Sequence, residues 1–286
     1  MVVISASYKT DIPAFYGEWF EHRMGEGYVE IRNPFNGKYS TISLKPDDID
    51  GFVFWTRNIS PFLPRLSRLV AGQYPFYVQF TLTGYPRLLE SSVPSSDVAI
   101  RQFQDFSGAY GQESIVWRYD PILISSVTPV QFHLDNFERL SSALKGATTE
   151  VVVSFMHFYQ KTNRNLNKLA QKSGLLVENP SPQVQRELLS KLSIVATANG
   201  QKLTLCSQPD LESETIQGAA CISADRLGLG DGIKVQGNRK GCLCIGARDL
   251  GAYDTCPHGC IYCYAVSSPE KAKASLKTHL VARPSL

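Results

Sequence analysis

Phe76-Tyr77-Val78-Gln79-Phe80-Thr81-Leu82-Thr83 reads as a β-strand with two unlike faces. Val78, Phe80 and Leu82 alternate with Gln79, Thr81 and Thr83, the period of two expected of a half-buried strand. Working outward, five more short apolar, β-rich runs fall at residues 2–5, 52–56, 115–119, 151–155 and 203–206. Helical patterns separate them, at residues 14–24, 61–70, 96–110, 130–144, 166–171 and 183–199. The first follows Asp11-Ile12-Pro13, and a proline in the first turn suits a helix start because its missing N–H has no partner to lose there. Strands alternating with helices imply parallel pairing through right-handed crossovers. A barrel, closed or partial, and an open doubly wound sheet both satisfy that pattern. The expectation is an α/β fold with a six-unit, βα barrel-like domain over residues 1–205. Residues 206–286, where regular patterning fades, are expected to form an irregular cysteine-rich segment packed on it. Residues 28–32 and 39–44 flank Asn36-Gly37, a strong hairpin signal that reads as an insertion between the first two units.

Bulk composition narrows the classes. The 286 residues are 43% apolar and 19% charged, a mixture that supports a buried core rather than disorder. No apolar run approaches the roughly 20 residues of a bilayer span, and the first residues lack a basic leader, so a cytoplasmic protein without membrane contact is expected. The formal charge of +3 is not gathered into a basic stripe, which argues against strong nucleic-acid binding. Hydrolase, P-loop and zincin signatures are absent, and Gly228-Leu229-Gly230-Asp231-Gly232 follows no clear strand.

All seven cysteines lie at or beyond Cys206. A secreted disulfide scaffold would be small and cysteine-dense throughout, so thiols confined to the last third of a large chain point to metal ligation. Cys256-Pro257-His258-Gly259-Cys260-Ile261-Tyr262-Cys263 has the spacing C-x3-C-x2-C. Three thiolates in one tight loop can hold three irons of a 4Fe–4S cube, leaving the fourth iron for another cysteine or for a small molecule. Gly259 lets the loop curl. With His258 the triplet could instead form a Cys3His zinc site. Cys206, Cys221, Cys242 and Cys244 remain as a candidate second site for an iron–sulfur cluster or zinc, against the plainer reading of Cys206 and Cys221 as small buried apolar residues.

The segment from Cys256 to Ala265 resembles the cluster loop of radical S-adenosylmethionine enzymes in its spacing, in the aromatic Tyr262 before the last cysteine and in the trailing Tyr264-Ala265. That resemblance implies a 4Fe–4S cluster on Cys256, Cys260 and Cys263. It also implies S-adenosylmethionine on the open iron, a 5′-deoxyadenosyl radical acting on a substrate, and a reductase, ferredoxin or flavodoxin as electron donor. The superfamily places this loop after its first strand, whereas here it follows all six candidate strands. The whole chain also resembles a microbial family catalogued as domain of unknown function 1848. Ser7…Thr10-Asp11-Ile12-Pro13-Ala14, Arg32-Asn33-Pro34-Phe35, Phe54-Trp55-Thr56, Trp117-Arg118-Tyr119-Asp120-Pro121 and residues 242–265 carry that likeness, which names a family and not a substrate.

In parallel α/β folds chemistry gathers at the carboxyl ends of strands. Those ends offer Ser7, Lys9 and Asp11; Thr56, Arg57 and Asn58; Thr81 and Thr83; Arg118 and Asp120; and Ser154 and His157. Lys9, Asp11, Arg118 and Asp120 are the candidate catalytic residues, and Tyr262, Thr56 and Asn58 the candidate cofactor contacts. Each has a structural alternative: Asp11 as a helix cap, Arg118 and Asp120 as an ion pair on one face of a strand. The competing functions are a non-catalytic or electron-transferring iron–sulfur protein and a zinc-stabilised binding module.

Overall fold

The computed structural model describes residues 2–69, 73–230, 232–237 and 239–286. In chain order the elements are β1 (Val2–Ala6), α1 (Ile12–Phe15), α2 (Gly17–Glu26), β2 (Tyr28–Arg32), β3 (Tyr39–Ser43), β4 (Ile49–Thr56), α3 (Leu63–Leu69), β5 (Phe76–Thr81) and α4 (Ser96–Tyr110). There follow β6 (Ile115–Ile122), α5 (Val130–Ala143), β7 (Glu150–Phe155), α6 (Gln160–Ser173), α7 (Pro182–Ala198), β8 (Lys202–Leu205), β9 (Gln217–Gly218), β10 (Ala247–Asp249) and α8 (Pro269–Thr278). Eight strands form one sheet in the order β10-β1-β4-β5-β6-β7-β8-β9, every neighbouring pair parallel. The hairpin β2–β3 stands apart as a two-stranded antiparallel sheet.

From β1 to β9 the order never doubles back. Right-handed crossovers running in one direction leave their helices on one face of a sheet, and the packing agrees. Phe52, Phe54, Val78, Phe80, Trp117, Tyr119, Val151 and Val153 share one apolar core with Trp19 and Phe20 of α2, Leu66 of α3, Phe103 of α4, Phe137 of α5 and Leu192 of α7. The intervening strand residues point to the opposite face. There Val3, Val53, Tyr77, Val116 and Val152 pack against Ala219, Cys221, Ile222, Leu227, Cys244 and Ile245. Gly51 of β4 makes room for that cover, because a Cβ there would stand 2.8 Å from the Pro75 carbonyl and 2.9 Å from Leu227.

The inner face changes character toward the carboxyl ends of the strands. One step beyond its valine layer come Ser5, Trp55, Gln79, Arg118 and Ser154, two residues on along each strand and therefore on the same face. This gradient from apolar to polar leads to the rim where the cysteine loop lies.

All six predicted strands are present, within a parallel α/β sheet. The sheet has two edges, β10 and β9, that are not paired to each other, so no hydrogen-bonded barrel closes among the described residues. The helical pattern at 14–24 is two helices, because the chain turns at Tyr16 between α1 and α2. The pattern at 61–70 begins with a short 3-10 turn, Ser60–Phe62, before α3, and its last residue, Val70, lies outside the described residues. The hairpin forms, but the connection is longer than a two-residue turn: Arg32 pairs with Tyr39, and the loop closes through Asn33 N–H to Lys38 O at 2.8 Å. The segment beyond Cys206, read as irregular, supplies both edge strands and α8. Asp231 of the glycine-rich stretch lies outside the described residues. Among those residues no helix is long and apolar enough to cross a membrane.

Candidate functional site

β10 pairs with β1 in the register Val3–Ala247, Ile4–Arg248 and Ser5–Asp249. The chain therefore leaves β10 at the carboxyl rim, beside the loop that leaves β1. Asp249 ties the two loops together: its carboxylate accepts from Ser5 Oγ and Ser7 Oγ, both at 2.9 Å, and from the Tyr8 N–H at 3.1 Å, and it pairs with Lys9 Nζ at 3.1 Å. Farther on, Thr10 Oγ1 donates to Ala252 O at 3.0 Å and lies 2.6 Å from Thr255 Oγ1. Tyr16 donates to Thr255 O at 2.7 Å. The β1 loop thus forms a bed for the residues that lead into Cys256.

The cysteine loop is pinned on its other side by Arg57, just after β4, and by the segment after β5. Ser92 N–H donates to His258 O at 2.9 Å, Ile261 N–H donates to Leu89 O at 3.0 Å, and Cys260 forms an antiparallel bridge with Glu90. Gly259 sits at φ +72°, with Ser91 packed where a side chain would go, so this position requires glycine. Tyr262, nearly buried, directs its hydroxyl into a closed network. It accepts from Arg57 Nη2 at 2.7 Å and donates to Glu90, which also receives Arg57 Nη1 at 2.8 Å and Thr83 Oγ1 at 2.6 Å. Its ring packs edge-on against Tyr85, with centroids 5.9 Å apart.

Asp11 joins both halves. One carboxylate oxygen caps α1 through the Ala14 N–H at 2.9 Å. The other accepts from the Arg57 N–H at 2.8 Å and from His258 Nε2 at 2.7 Å. Asp11 is therefore a helix cap and more, since the same carboxylate holds the histidine inside the cysteine triplet. His258 also packs edge-on against Phe15. With its ring nitrogen committed to Asp11 and its side chain buried, it stands as a positioning residue of the loop.

The three cysteines are half-buried residues. Cys260 is electrostatically coupled to both Cys263 and Cys256. Burial pushes the Cys256 thiol up to about 12, with the nearby Asp11 carboxylate adding to the effect. Burial likewise raises Cys260 and Cys263, opposed by the Arg57 guanidinium at Cys260 and, at Cys263, by backbone N–H groups of Ala265 and Val266. As bare thiols all three hold their protons near neutrality, and any metal bound there would have to displace those protons.

The other candidates spread along the same rim. Thr56 Oγ1 accepts from the Asn58 N–H at 2.9 Å, an arrangement that shapes the backbone. Asn58 Oδ1 and His157 Nε2 are buried without a hydrogen-bond partner. Burial lowers the His157 pKa, and the nearby Arg239 lowers it further. Thr81 is half-buried on β5. Arg118 and Asp120 do pair, and Ser154 donates to the same aspartate. Arg118 does more than balance that charge: its guanidinium lies 5.0 Å from the Trp55 ring centroid and donates to Cys221 Sγ at 3.0 Å.

That last contact leads to the second group of cysteines. Cys206, Cys221 and Cys244 are buried on the inner face of the sheet, with Cys242 packed against them. They keep company with the inner-face cluster, whereas Cys260 packs with Tyr85, Leu89 and Tyr262 at the rim. Among the described residues no group of three or more His, Cys, Asp or Glu side chains is arranged as a ready cage for a single metal ion. Beside the triplet loop, Gln160, Lys161, Arg164, Asp254, Ser267 and Lys271 line an open recess of about 580 Å³.

Sequence reasoning did not single out Glu90, Tyr85 or Asp249. Glu90 and Tyr85 lie in a polar loop with no motif around them, and Asp249 ends a strand of three residues, too short to show a period. The comparisons with known proteins bear on the whole chain. The family model described as Domain of unknown function (DUF1848) matches residues 3–265. No curated protein and no solved structure matches.

Proposed function

The chain belongs to the DUF1848 family, and we propose that it is an iron–sulfur enzyme of the radical S-adenosylmethionine type, with its cluster unit moved to the end of the sequence. One observation carries this reading. The C-x3-C-x2-C loop directly follows an edge strand, β10, that pairs in parallel with β1, and it is followed by α8. Strand, cysteine loop and helix is the order in which the superfamily resemblance places the first barrel unit. In space β10 stands at one end of the sheet, ahead of β1, β4, β5, β6, β7 and β8. The unit is last in sequence and first in the sheet.

The residues present fit such a group. Cys256, Cys260 and Cys263 would hold the cluster, and the four remaining cysteines gather on the inner face instead of completing the triplet. Three ligands leave one iron for a small molecule. When bound, the cluster and S-adenosylmethionine supply a one-electron reductive cleavage that yields a 5′-deoxyadenosyl radical. The chain's own residues position and shield. Arg57, Glu90 and Tyr262 fix the loop from beneath, and Asp11 orients His258. Asn58 Oδ1 and His157 Nε2, buried and unpartnered at the ends of β4 and β7, are available to a bound ligand. Lys9, Arg118 and Asp120 add a polar lining already held in place by ion pairs.

Anaerobic reconstitution followed by incubation with dithionite and S-adenosylmethionine tests the reading. Formation of 5′-deoxyadenosine by the wild-type chain, and none by Cys260→Ala, is the expected result. Equal traces from both proteins would refute it.

A further inference from the structure

We infer that Cys206, Cys221, Cys242 and Cys244 form a structural site for one zinc ion on the inner face of the sheet, separate from the triplet. This rests on its own geometry and not on the proposed radical chemistry. The four thiols come from three places: Cys206 immediately after β8, Cys221 three residues after β9, and the pair Cys242 and Cys244 on a turn closed by the antiparallel bridge Val235–Ile245. Although Cys206 and Cys244 stand 38 positions apart, all four gather at one cluster. Cys221 Sγ lies 3.5 Å from Cys206 Sγ, and Cys244 belongs to the same inner-face cluster, with Cys242 packed against it.

The spacing suits two ligands on one metal ion. Thiolates about 2.3 Å from one zinc in tetrahedral directions stand about 3.8 Å apart. Thiolates on different corners of an iron–sulfur cube each bind a separate iron and stand farther apart. The 3.5 Å contact suits a shared single ion. Zinc binding would displace the thiol protons and draw the four cysteines, which do not stand as a ready cage, into a tetrahedron.

The surroundings match the charge that results. A zinc ion with four thiolates carries a net charge of about −2, and buried charge needs partners. Arg118 Nη1 donates to Cys221 Sγ at 3.0 Å and Arg239 Nη2 donates to Cys206 Sγ at 3.1 Å. The Ile222 N–H donates to Cys244 Sγ at 3.3 Å. Donors aimed at ligand sulfurs are the outer-shell contacts that orient and tune a metal site.

There is also a structural need. Among the described residues between β8 and β10 the regular elements are β9 and two short 3-10 turns, Pro209–Leu211 and Asp225–Leu227, yet this segment covers the inner face of the sheet. Four protein ligands with no open position make a closed, structural site. It would staple that segment to β8.

Metal analysis of the chain after aerobic purification tests the assignment. One zinc per chain is expected, retained in Cys260→Ser and lost in Cys221→Ser and Cys244→Ser. Iron and sulfide bound in a Cys256→Ser, Cys260→Ser, Cys263→Ser triple variant would overturn it, as would a wild-type chain that holds no zinc. If the Cys221 and Cys244 variants do not fold, Co(II) replacement in the wild-type chain decides. The intense visible bands of a tetrahedral tetrathiolate support the site, and a spectrum without them refutes it. Absence of 5′-deoxyadenosine formation by the wild-type chain with its zinc intact would count against the radical reading alone.

Discussion

The two groups of cysteines solve the problem of gathering thiols in opposite ways. Cys256, Cys260 and Cys263 fall within eight residues, and their loop is shaped by its own glycine and pinned by hydrogen bonds to the rim. Cys206, Cys221, Cys242 and Cys244 are spread over 39 residues and meet only because the sheet's inner face collects them. The first arrangement can be read from spacing. The second exists only in the fold, so it should respond to damage in the inner face while the triplet does not.

The largest expected effect is on metal content. Cys260→Ala should abolish iron and sulfide binding at the triplet, while Cys221→Ala leaves that iron in place. Elemental analysis after reconstitution distinguishes the two, and equal iron loss from both variants would merge the groups into a single site.

Next in size is Arg57→Ala. It removes the cation that Glu90 and the Tyr262 hydroxyl share in a buried network. Breaking a buried pair by removing one partner typically costs about 3–5 kcal/mol. Denaturant unfolding should register a loss of that order, with reduced iron retention because the triplet loop loses its anchor. A loss of stability with iron retention unchanged would mean that the network supports the sheet and not the loop.

Acid should weaken the helix-backed side. His133 is fully buried on α5, between the Tyr119 hydroxyl on Nδ1 and the Leu123 carbonyl on Nε2, and burial lowers its pKa to about 4. The native imidazole is neutral where the unfolded one, with an ordinary pKa near 6.5, already binds a proton. Stability is therefore lost as pH falls from about 6.5 to about 4 and levels off below that, by about 3 kcal/mol in total. Denaturant titrations across that range should show the slope, and His133→Gln should flatten it.

The smallest effect is Gly259→Ala. A left-handed backbone without glycine costs about 1–2 kcal/mol, and the added methyl would also displace the exposed Ser91 hydroxyl. Slower iron uptake with the zinc content unchanged is the expected readout. A normal rate would show that the loop tolerates another path.

The sequence carried the strands that span the core and the triplet, because both are local patterns. Alternation from Val78 to Thr83 and the C-x3-C-x2-C spacing need no tertiary information. It did not carry β9 and β10, which are two and three residues long and become strands only by pairing with β8 and β1. Without β10 the cysteine loop looked stranded at the end of the chain. Nor could it show that Asp11 reaches His258 across 247 residues, or that Glu90 lies under Tyr262. Lys9, Arg118 and Asp120 were legible as rim residues, but their ion pairs and the contact of Arg118 with Cys221 belong to the fold.

The most direct measurement is anaerobic electron paramagnetic resonance of the reduced, reconstituted protein, with and without S-adenosylmethionine. An open iron on the triplet predicts a 4Fe–4S signal whose g-values shift when the cofactor is added. A 4Fe–4S signal that does not change, or no such signal at all, would contradict it.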